Sequence, residues 1–266
     1  MKRMQCKRWL LCWCITMFAM LSLCGCSSNN SGVDVGDVDV GDIDVGDIDV
    51  GNLQNGKKNK KLEKNFESEY ILEDVSGVQR FALEHEVGSV TLGVSEDENI
   101  HIKANTYVTA YTQENLDKIV ENMDVINKVV DDSCVVSIVN KSDGTAFWDW
   151  LAKEIKDYNV CIDLEILLPS NFFSFSVSVD CGAIYVADLQ GNMELATDTG
   201  TVDVILCENI GSSSIDIETD TGSIEIDLNN NQIEYDKKGR SHVEAVVNEV
   251  CTLKATVDTG RINVIK

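Results

Sequence analysis

The feature that most constrains the fold is a short frame that recurs four times in the second half of the chain. In each copy an Asp is followed by Thr or Cys, then Gly, one variable residue and an apolar-x-apolar triplet. The copies are VDCGAIYV at 179–186, TDTGTVDV at 197–204, TDTGSIEI at 219–226 and VDTGRINV at 257–264. Successive glycines are 18, 22 and 38 residues apart. A period of about 20 residues predicts stacked β-repeats, because one such unit cannot bury its own apolar edge.

The residue types of the frame indicate a tight structural turn between short strands. Gly adopts positive φ without penalty, and an Asp carboxylate accepts hydrogen bonds from backbone N–H groups of the turn. We therefore predict structural turns at Asp180, Gly182, Asp198, Gly200, Asp220, Gly222, Asp258 and Gly260. The apolar residues that follow are expected to point inward: Ile184 and Val186, Val202 and Val204, Ile224 and Ile226, Ile262 and Val264. The intervening Tyr185, Asp203, Glu225 and Asn263 are then expected to face solvent.

The Asp-Thr-Gly triplets at Asp198, Asp220 and Asp258 also raise the question of an aspartic protease. Such an enzyme needs two equivalent lobes that each supply one Asp, with the two carboxyl groups sharing a proton beside a substrate cleft. The triplets are only 22 and 38 residues apart, which is too close for two lobes. A homodimer with one triplet per chain would leave the other copies unexplained. We therefore expect turns, with no catalytic residue.

The remainder of the C-terminal two-thirds indicates strands and two short helices. Alternating apolar residues or β-branched runs predict strands at 88–94, 99–111, 134–140 and 160–171, the last ending at Pro169. Apolar residues at helical spacing predict an amphipathic helix over 112–126, with Thr112 as N-cap and Glu114 in the first turn. The expected fold is therefore all-β, a single-stranded right-handed β-solenoid with one or two short helices.

Two segments leave alternatives open. The stretch FWDWLAKEIKDY at 147–158 predicts a second helix, with Trp150 on its apolar face and Trp148 pointing elsewhere. It is either a lid over the end of the sheet or a surface on which Trp148 and Trp150 contact a ligand. The 38-residue step contains residues 229–249, which form either an extra coil without its Gly or a protruding hairpin that turns at KKGR.

The N-terminus resembles an export signal. A basic start, an apolar stretch of 15 residues and LCGC at 23–26 are typical of a bacterial lipoprotein signal peptide over residues 1–25. The Cys26 sulfur would then carry a diacylglycerol, whose two acyl chains suffice for stable membrane attachment. A plain signal peptide and an uncleaved anchor are the alternatives. The prediction places the protein on the outer face of the cell membrane, in a bacterium of the Gram-positive type.

Residues 26–65 are predicted to form a linker, and the folded domain is expected over 66–266. The linker repeats a five-residue VDVGD unit from Val33 to Asn52, with seven Asp and no aromatic residue in these 20 positions. Such a segment cannot bury a core. One alternative to a solvated stalk is a weak Ca²⁺ site built from Asp37, Asp39, Asp42 and Asp44.

Charge and cysteine usage narrow the classes of partner. Residues 1–25 hold four basic and no acidic residues, so the remaining chain carries a formal charge of −27. Such a surface repels nucleic acid and anionic lipids, and it attracts cations and basic peptides. There is no C-x-x-C pair and no zinc pattern, so neither a metal nor a cofactor is expected. Disulfides remain open for the five cysteines of the predicted domain, which are Cys134, Cys161, Cys181, Cys207 and Cys251.

The chain from about residue 66 onward resembles the bacterial "putative adhesin" domain family of β-strand repeats, a domain of unknown function. The resemblance rests on VGSVTLGV, on SCVVSIVN after a helix, on LEILLPSN with Pro169 and on the repeated GxIxV units. It implies a right-handed β-solenoid on the cell surface without catalytic residues. Some relatives belong to envelope-stress systems that respond to cell-wall antibiotics and cationic peptides.

Two functional hypotheses follow from these features. The first is a lipid-anchored, non-catalytic display module that acts as an adhesin, with a ladder of Asp, Glu, Ser and Thr facing a partner. The second is an envelope-stress sensor or decoy that captures cationic antimicrobial peptides through its negative charge. An enzyme is a distant third.

Overall fold

The structure is a computed structural model that describes residues 61–73, 75, 77–206, 213–227, 234–238, 242–247 and 251–265. The predicted signal peptide, Cys26 and the pentapeptide stalk with its candidate Ca²⁺ ligands lie outside the described residues, as does Cys207. Lys61–Lys266 form one compact unit.

In the described part of the chain the fold is all-β, with most residues in strands and two short helices. The strands are β1 (Leu62–Leu72), β2 (Arg80–Val87), β3 (Val90–Val94), β4 (Ile100–Ala110), β5 (Met123–Val130), β6 (Ser133–Asn140), β7 (Tyr158–Leu168), β8 (Ser174–Ala187), β9 (Asn192–Ile205), β10 (Ser213–Asp227), β11 (Glu234–Lys238), β12 (His242–Val247) and β13 (Cys251–Ile265). The helices are α1 (Gln113–Asn122) and α2 (Phe147–Glu154). β7 ends at the residue before Pro169, as the sequence predicts.

The four repeat copies lie on four parallel neighbouring strands, in the order β8, β9, β13, β10; we call these strands the parallel stack. Their triplets are in register, so that Gly182 is opposite Gly200, Gly200 opposite Gly260, and Gly260 opposite Gly222. Each strand continues through its triplet, although the pattern of buried residues shifts there by one position. The triplet therefore bends a long strand and does not join two separate strands.

The expected single-stranded right-handed solenoid is not seen in the described residues. In such a solenoid each repeat would stack on the one before it in the chain, but β13 lies between β9 and β10. The strands β1, β4, β5, β11 and β12 also pair antiparallel to a neighbour. Of the two alternatives for the 38-residue step, the hairpin is the one observed, because β11 and β12 form an antiparallel pair across residues 239–241.

Two groups of strands extend from β8, one from each half of that strand. The first half of β8 pairs with β2, which continues to β6 and β5; we call these three strands the first wing. The second half pairs with β3, which continues to β7, β4 and β1; these four strands are the second wing. The complete sheet is nearly closed and barrel-like. β5 and β1 are the last strands of the two wings.

The first helix begins as predicted and ends earlier. The Thr112 hydroxyl accepts a hydrogen bond from the Asn115 backbone N–H at 3.2 Å, which confirms the N-cap. The helix stops at Asn122, and Met123 begins strand β5, although helical spacing placed Met123 on the helix face. The segment Met123–Val130 contains three Val and one Ile, and antiparallel pairing with β6 outweighs its helical period. The second helix likewise ends at Glu154, before the predicted residue 158.

The inward residues of the repeat form the core of the parallel stack. Ile184, Val202 and Ile262 are completely buried, as are their partners two positions later to within 1% exposure. The fourth pair, Ile224 and Ile226, is only half-buried. It lies on β10, whose outer neighbour β12 pairs only with the first half of the strand. Among the residues expected to face solvent, Tyr185 and Glu225 are exposed, whereas Asp203 and Asn263 are half-buried.

Candidate functional site

A column of five glycines runs across the bend of the sheet. The four repeat glycines are joined by Gly88, which is in register with Gly182 because β2 and β3 pair with the two halves of β8. Their φ angles lie between 132° and 158°, a region that side chains disfavour. A Cβ atom on Gly200 would also overlap the carbonyl oxygen of Gly182. These positions therefore require Gly for two reasons, backbone conformation and the close approach of the neighbouring strand.

A row of carboxylates accompanies the glycines, two residues earlier on each strand. It consists of Glu86, Asp180, Asp198, Asp258 and Asp220 in spatial order, and we call it the acidic row. Neighbouring strands of a sheet are about 4.8 Å apart, so the row brings like charges close together. Asp258 and Asp220 are exposed, and the other three members are half-buried. The row brings together all four predicted turn Asp residues.

Glu86, the first member of the row, is not among the turn residues predicted from the sequence. The segment EVGSVTL at 86–92 has the repeat frame with Glu in place of Asp and Val in place of Thr. The signal was present as an acidic residue two positions before Gly, followed by apolar-x-apolar. It was overlooked because Gly88 precedes Gly182 by 94 residues, far outside the period of the other copies.

Glu86 is the member of the row with the clearest electrostatic perturbation. Burial raises the pKa of Glu86, with further contributions from the negative charges of Asp180 and Asp149, to about 7. Desolvation and like charges both disfavour the ionised form of a carboxyl group. Glu86 is therefore the member of the row whose ionised form is most clearly disfavoured.

The acidic row does not have the arrangement of an aspartic protease dyad. Its carboxylates follow one another along adjacent strands of a single sheet, whereas a dyad faces a cleft between two lobes. No group of three or more His, Cys, Asp or Glu residues suited to a metal ion is found within the described ranges. The row offers a repeated pattern of negative charge and hydrogen-bond acceptors.

The two tryptophans of α2 are half-buried and pack against the core. The position of Trp148 on the helix predicts that its ring points away from the core. The structure differs from this prediction, because the ring of Trp148 lies 5.7 Å from that of Phe147 and 6.2 Å from that of His85. Trp150 stacks on Phe147 at 5.8 Å. Both tryptophans thus contribute to packing, and both residues stay partly accessible.

His85 is a buried neutral residue beneath this lid. Burial lowers its pKa to about 4, and its Nε2 lies 2.7 Å from the carbonyl oxygen of Ile162. Because the other partner is a carbonyl, Nε2–H donates this bond. His85 Nδ1 and Trp148 Nε1 are buried without a hydrogen-bond partner in the described structure. This hydrogen bond from His85 therefore connects β2 of the first wing to β7.

An open groove of ≈ 640 Å³ lies beside β1, α1 and the start of β5. Half-buried Phe66, Tyr70 and Val120 and buried Met123 form its apolar part. Glu69, Glu121, Asp124 and Lys141 contribute charged groups to the same lining. We call it the seam groove, because the last strands of the two wings both contribute to it.

The thiols differ in environment. Cys134 is buried, and burial raises its pKa. Cys161 and Cys181 are half-buried. Cys251 begins β13.

No helix in the described part of the chain has the length and apolar character that crossing a membrane requires.

Comparison with known proteins gives only weak similarities. No protein-family model and no curated protein matches the chain. The chain is similar to a crystal structure of a "putative cell adhesion protein" from Clostridium sporogenes ATCC 15579, with 13% identity and a TM-score of 0.44, over 76% of this chain and 99% of the other. It is also similar to a "putative adhesin" from Bacteroides fragilis NCTC 9343, with 11% identity and a TM-score of 0.22, over 76% and 97%. These values are too low to assign the chain to a family.

Proposed function

We propose that the protein is a non-catalytic, adhesin-like binding module, held on the outer face of the cell membrane by a lipid on Cys26. The observation that carries this proposal is the acidic row on in-register repeats. Four copies of one frame place equivalent Asp and Thr or Cys residues on neighbouring strands. A spacing of about 4.8 Å between strands lets several weak contacts act on one partner at once.

The chemistry of the row supports binding over catalysis. Each glycine of the column serves the close packing of strands, and the accompanying Asp repeats with it. The Asp residues of the row thus recur together with the glycines of the repeat, and every strand of the stack presents a carboxylate. An aspartic protease dyad would instead need two Asp carboxyl groups that face each other across a cleft, whereas the four Asp residues of the stack follow one another along one sheet.

The lipid anchor and the surface location can be tested in cells that express the full chain. We expect radiolabelled palmitate to be incorporated into the parent and to be lost in a Cys26→Ser variant. External protease should digest the parent on intact cells. Absence of label in the parent would disprove the anchor, and full protection from protease would disprove surface display.

The binding role requires a separate comparison. Cells that display the parent should adhere to a host-surface or cell-wall glycan array more strongly than cells that display Asp198→Asn/Asp258→Asn. Both substitutions keep the size of the side chain and remove charge from the middle of the acidic row. Equal adhesion of parent and variant at equal surface levels would contradict a role for the row.

A second candidate function is the capture of cationic peptides by charge. The acidic row and the formal charge of −27 outside residues 1–25 both favour it, since a dense negative field steers basic ligands. Calorimetric titration of the full chain with a basic amphipathic peptide tests this candidate. We expect affinity to fall strongly between low and high salt. Salt-independent affinity, or no binding at low salt, would exclude it.

A further inference from the structure

The seam groove lies where the sheet fails to close. Within the described residues, β1 pairs only with β4 and β5 pairs only with β6, so each wing ends in a strand with an unpaired edge. The lining of the groove includes residues from β1 and from the start of β5. An unpaired edge presents a row of backbone N–H and C=O groups that can pair with another extended segment.

The floor of the groove is apolar, and several of its side chains remain partly exposed. Phe66 and Tyr70 alternate with exposed neighbours along β1, and both remain half-buried. Met123 closes the bottom of the groove, where its sulfur accepts a hydrogen bond from the buried Thr106 hydroxyl at 3.6 Å. Side chains of an added strand that point inward at every second position would contact this floor.

The charged groups around the floor are mostly acidic. Glu69, Glu121 and Asp124 contribute three carboxylates, against the single ammonium of Lys141. Within the described part of the chain, neither Glu121 nor Asp124 forms an ion pair. Burial raises the pKa of Tyr70, and the charge of Asp124 adds to the effect. The groove therefore favours positive charge on its occupant and disfavours an anionic one.

We propose that the seam groove binds an extended peptide segment of a partner protein, in which apolar and basic residues alternate, by strand addition to the free edge of β1. The apolar side chains would lie on Phe66, Tyr70 and Met123, and the basic ones would face Glu121 and Asp124. Main-chain pairing supplies affinity in this mode, and the alternate side chains supply specificity. The inference goes beyond both proposed functions, because it assigns one site and one binding mode away from the acidic row.

The test uses the full chain and a labelled peptide, acetyl-KVKVKVK-amide, with binding followed by fluorescence anisotropy. The matched control peptide has the same side chains but N-methyl groups on alternate backbone amides. N-methylation keeps the charge and removes hydrogen-bond donors of one strand edge. We expect the control peptide to bind at least about ten-fold more weakly, a difference of about 1.4 kcal/mol.

A pair of charge-reversal variants locates the site. Glu121→Lys places a positive charge in the groove, and Glu84→Lys makes the same change of net charge at an exposed position outside it. We expect Glu121→Lys to weaken peptide binding at least about ten-fold and Glu84→Lys to change it less than about two-fold. Circular dichroism should show the parent fold in both variants, because both side chains are exposed.

Three results would overturn the proposal. Equal binding of the N-methylated peptide would show that charge alone holds the ligand, which is the outcome expected if only general capture of cations operates. Equal losses in the two charge-reversal variants would remove the groove as the site. No binding of the labelled peptide at low salt would remove strand addition. The Asp198→Asn/Asp258→Asn variant should bind the peptide as the parent does, so failure of the acidic row and failure of the groove can be told apart.

Discussion

The parallel stack and the two wings build one sheet in different ways. In the stack, four strands repeat one sequence frame, run parallel and place identical residues opposite one another. In the wings, seven strands have little sequence in common and pair in both directions, and within the described residues the last strand of each wing is paired on one side only. Repetition fixes the register of the stack through its glycines, whereas the wings depend on packing of individual side chains.

The glycine column should be the least tolerant part of the molecule. In Gly200→Ala the new Cβ overlaps the carbonyl oxygen of Gly182, so the strands must separate. We expect a loss of at least about 4 kcal/mol in the free energy of unfolding, or no folded protein. The control is Gly144→Ala, at φ +70° with no atom within 4 Å of the new Cβ, for which we expect about 1 kcal/mol. Similar losses in urea denaturation would show that close approach of the strands is unimportant.

Core substitutions should cost less stability in β10, the last strand of the parallel stack, than in β13. Ile262 and Ile224 occupy equivalent positions on paired strands, but Ile262 is completely buried and Ile224 half-buried. We expect Ile262→Ala to lower the free energy of unfolding by about 3 kcal/mol and Ile224→Ala by about half as much. Chemical denaturation of the two variants measures both values. Equal losses would mean that β10 is covered as completely as β13.

A local contact outside the sheet, at the start of α1, should matter less. The N-cap hydrogen bond of Thr112 serves only the first turn of α1, so Thr112→Ala should cost about 1 kcal/mol. Thr112→Ser keeps the hydroxyl and should retain most of the parent stability. Thermal unfolding followed by circular dichroism compares the two. A loss in Thr112→Ser as large as that in Thr112→Ala would rule out the cap as the cause.

The acidic row should give the smallest effect on stability, and this effect should depend on pH. The folded pKa of Glu86 is about 7, above the ordinary value of 4.5, so folding favours its protonated form. This contribution is fully present below about pH 4.5 and is lost as pH rises through 7. Since Glu86 is partly exposed, Glu86→Gln should stabilise the protein by only about 0.5 to 1 kcal/mol at pH 8, and by nothing at pH 4. Urea denaturation at the two pH values checks this, and a pH-independent difference would contradict it.

The contribution of His85 to stability changes with pH in the opposite direction to that of Glu86. Its folded pKa of about 4 lies below the ordinary value, so its contribution to stability is present at neutral pH and is lost as pH falls from about 6.5 toward 4. The difference between Glu86→Gln and the parent cancels the His85 effect, because both proteins retain this residue.

The sequence predicts the stack better than the order of its strands. Residue roles within the frame identify the inward positions Val202 and Ile262, because alternation and Gly placement are local properties. Nothing in the frame decides that β13 lies between β9 and β10, since Gly260 can make the same contact with any other repeat glycine. In the observed order the hairpin β11–β12 occupies one edge of β10, and β13 pairs with the other edge.

The acidic row and the seam groove also differ in how far the sequence predicts them. The acidic row could be read from the repeat, apart from Glu86, whose copy is distant in the chain. The seam groove could not, because Phe66, Val120, Met123 and Lys141 come from separate segments that only the completed sheet brings together. The end of α1 at Asn122 was also beyond local prediction, since the helical period of the sequence continues to Met123 while tertiary pairing begins there.

The position of β13 has a consequence for how the chain acquires its structure. The strand nearest the C-terminal end of the described chain sits in the interior of the stack, with β9 on one side and β10 on the other. A polypeptide that emerges N-terminus first therefore cannot complete this sheet until β13 has left the ribosome or the translocation channel. Until then β9 and β10 have incomplete neighbours, and contacts of long sequence separation slow the final step. Because this interior strand of the stack is synthesised late, the sheet stays incomplete until most of the chain has been made.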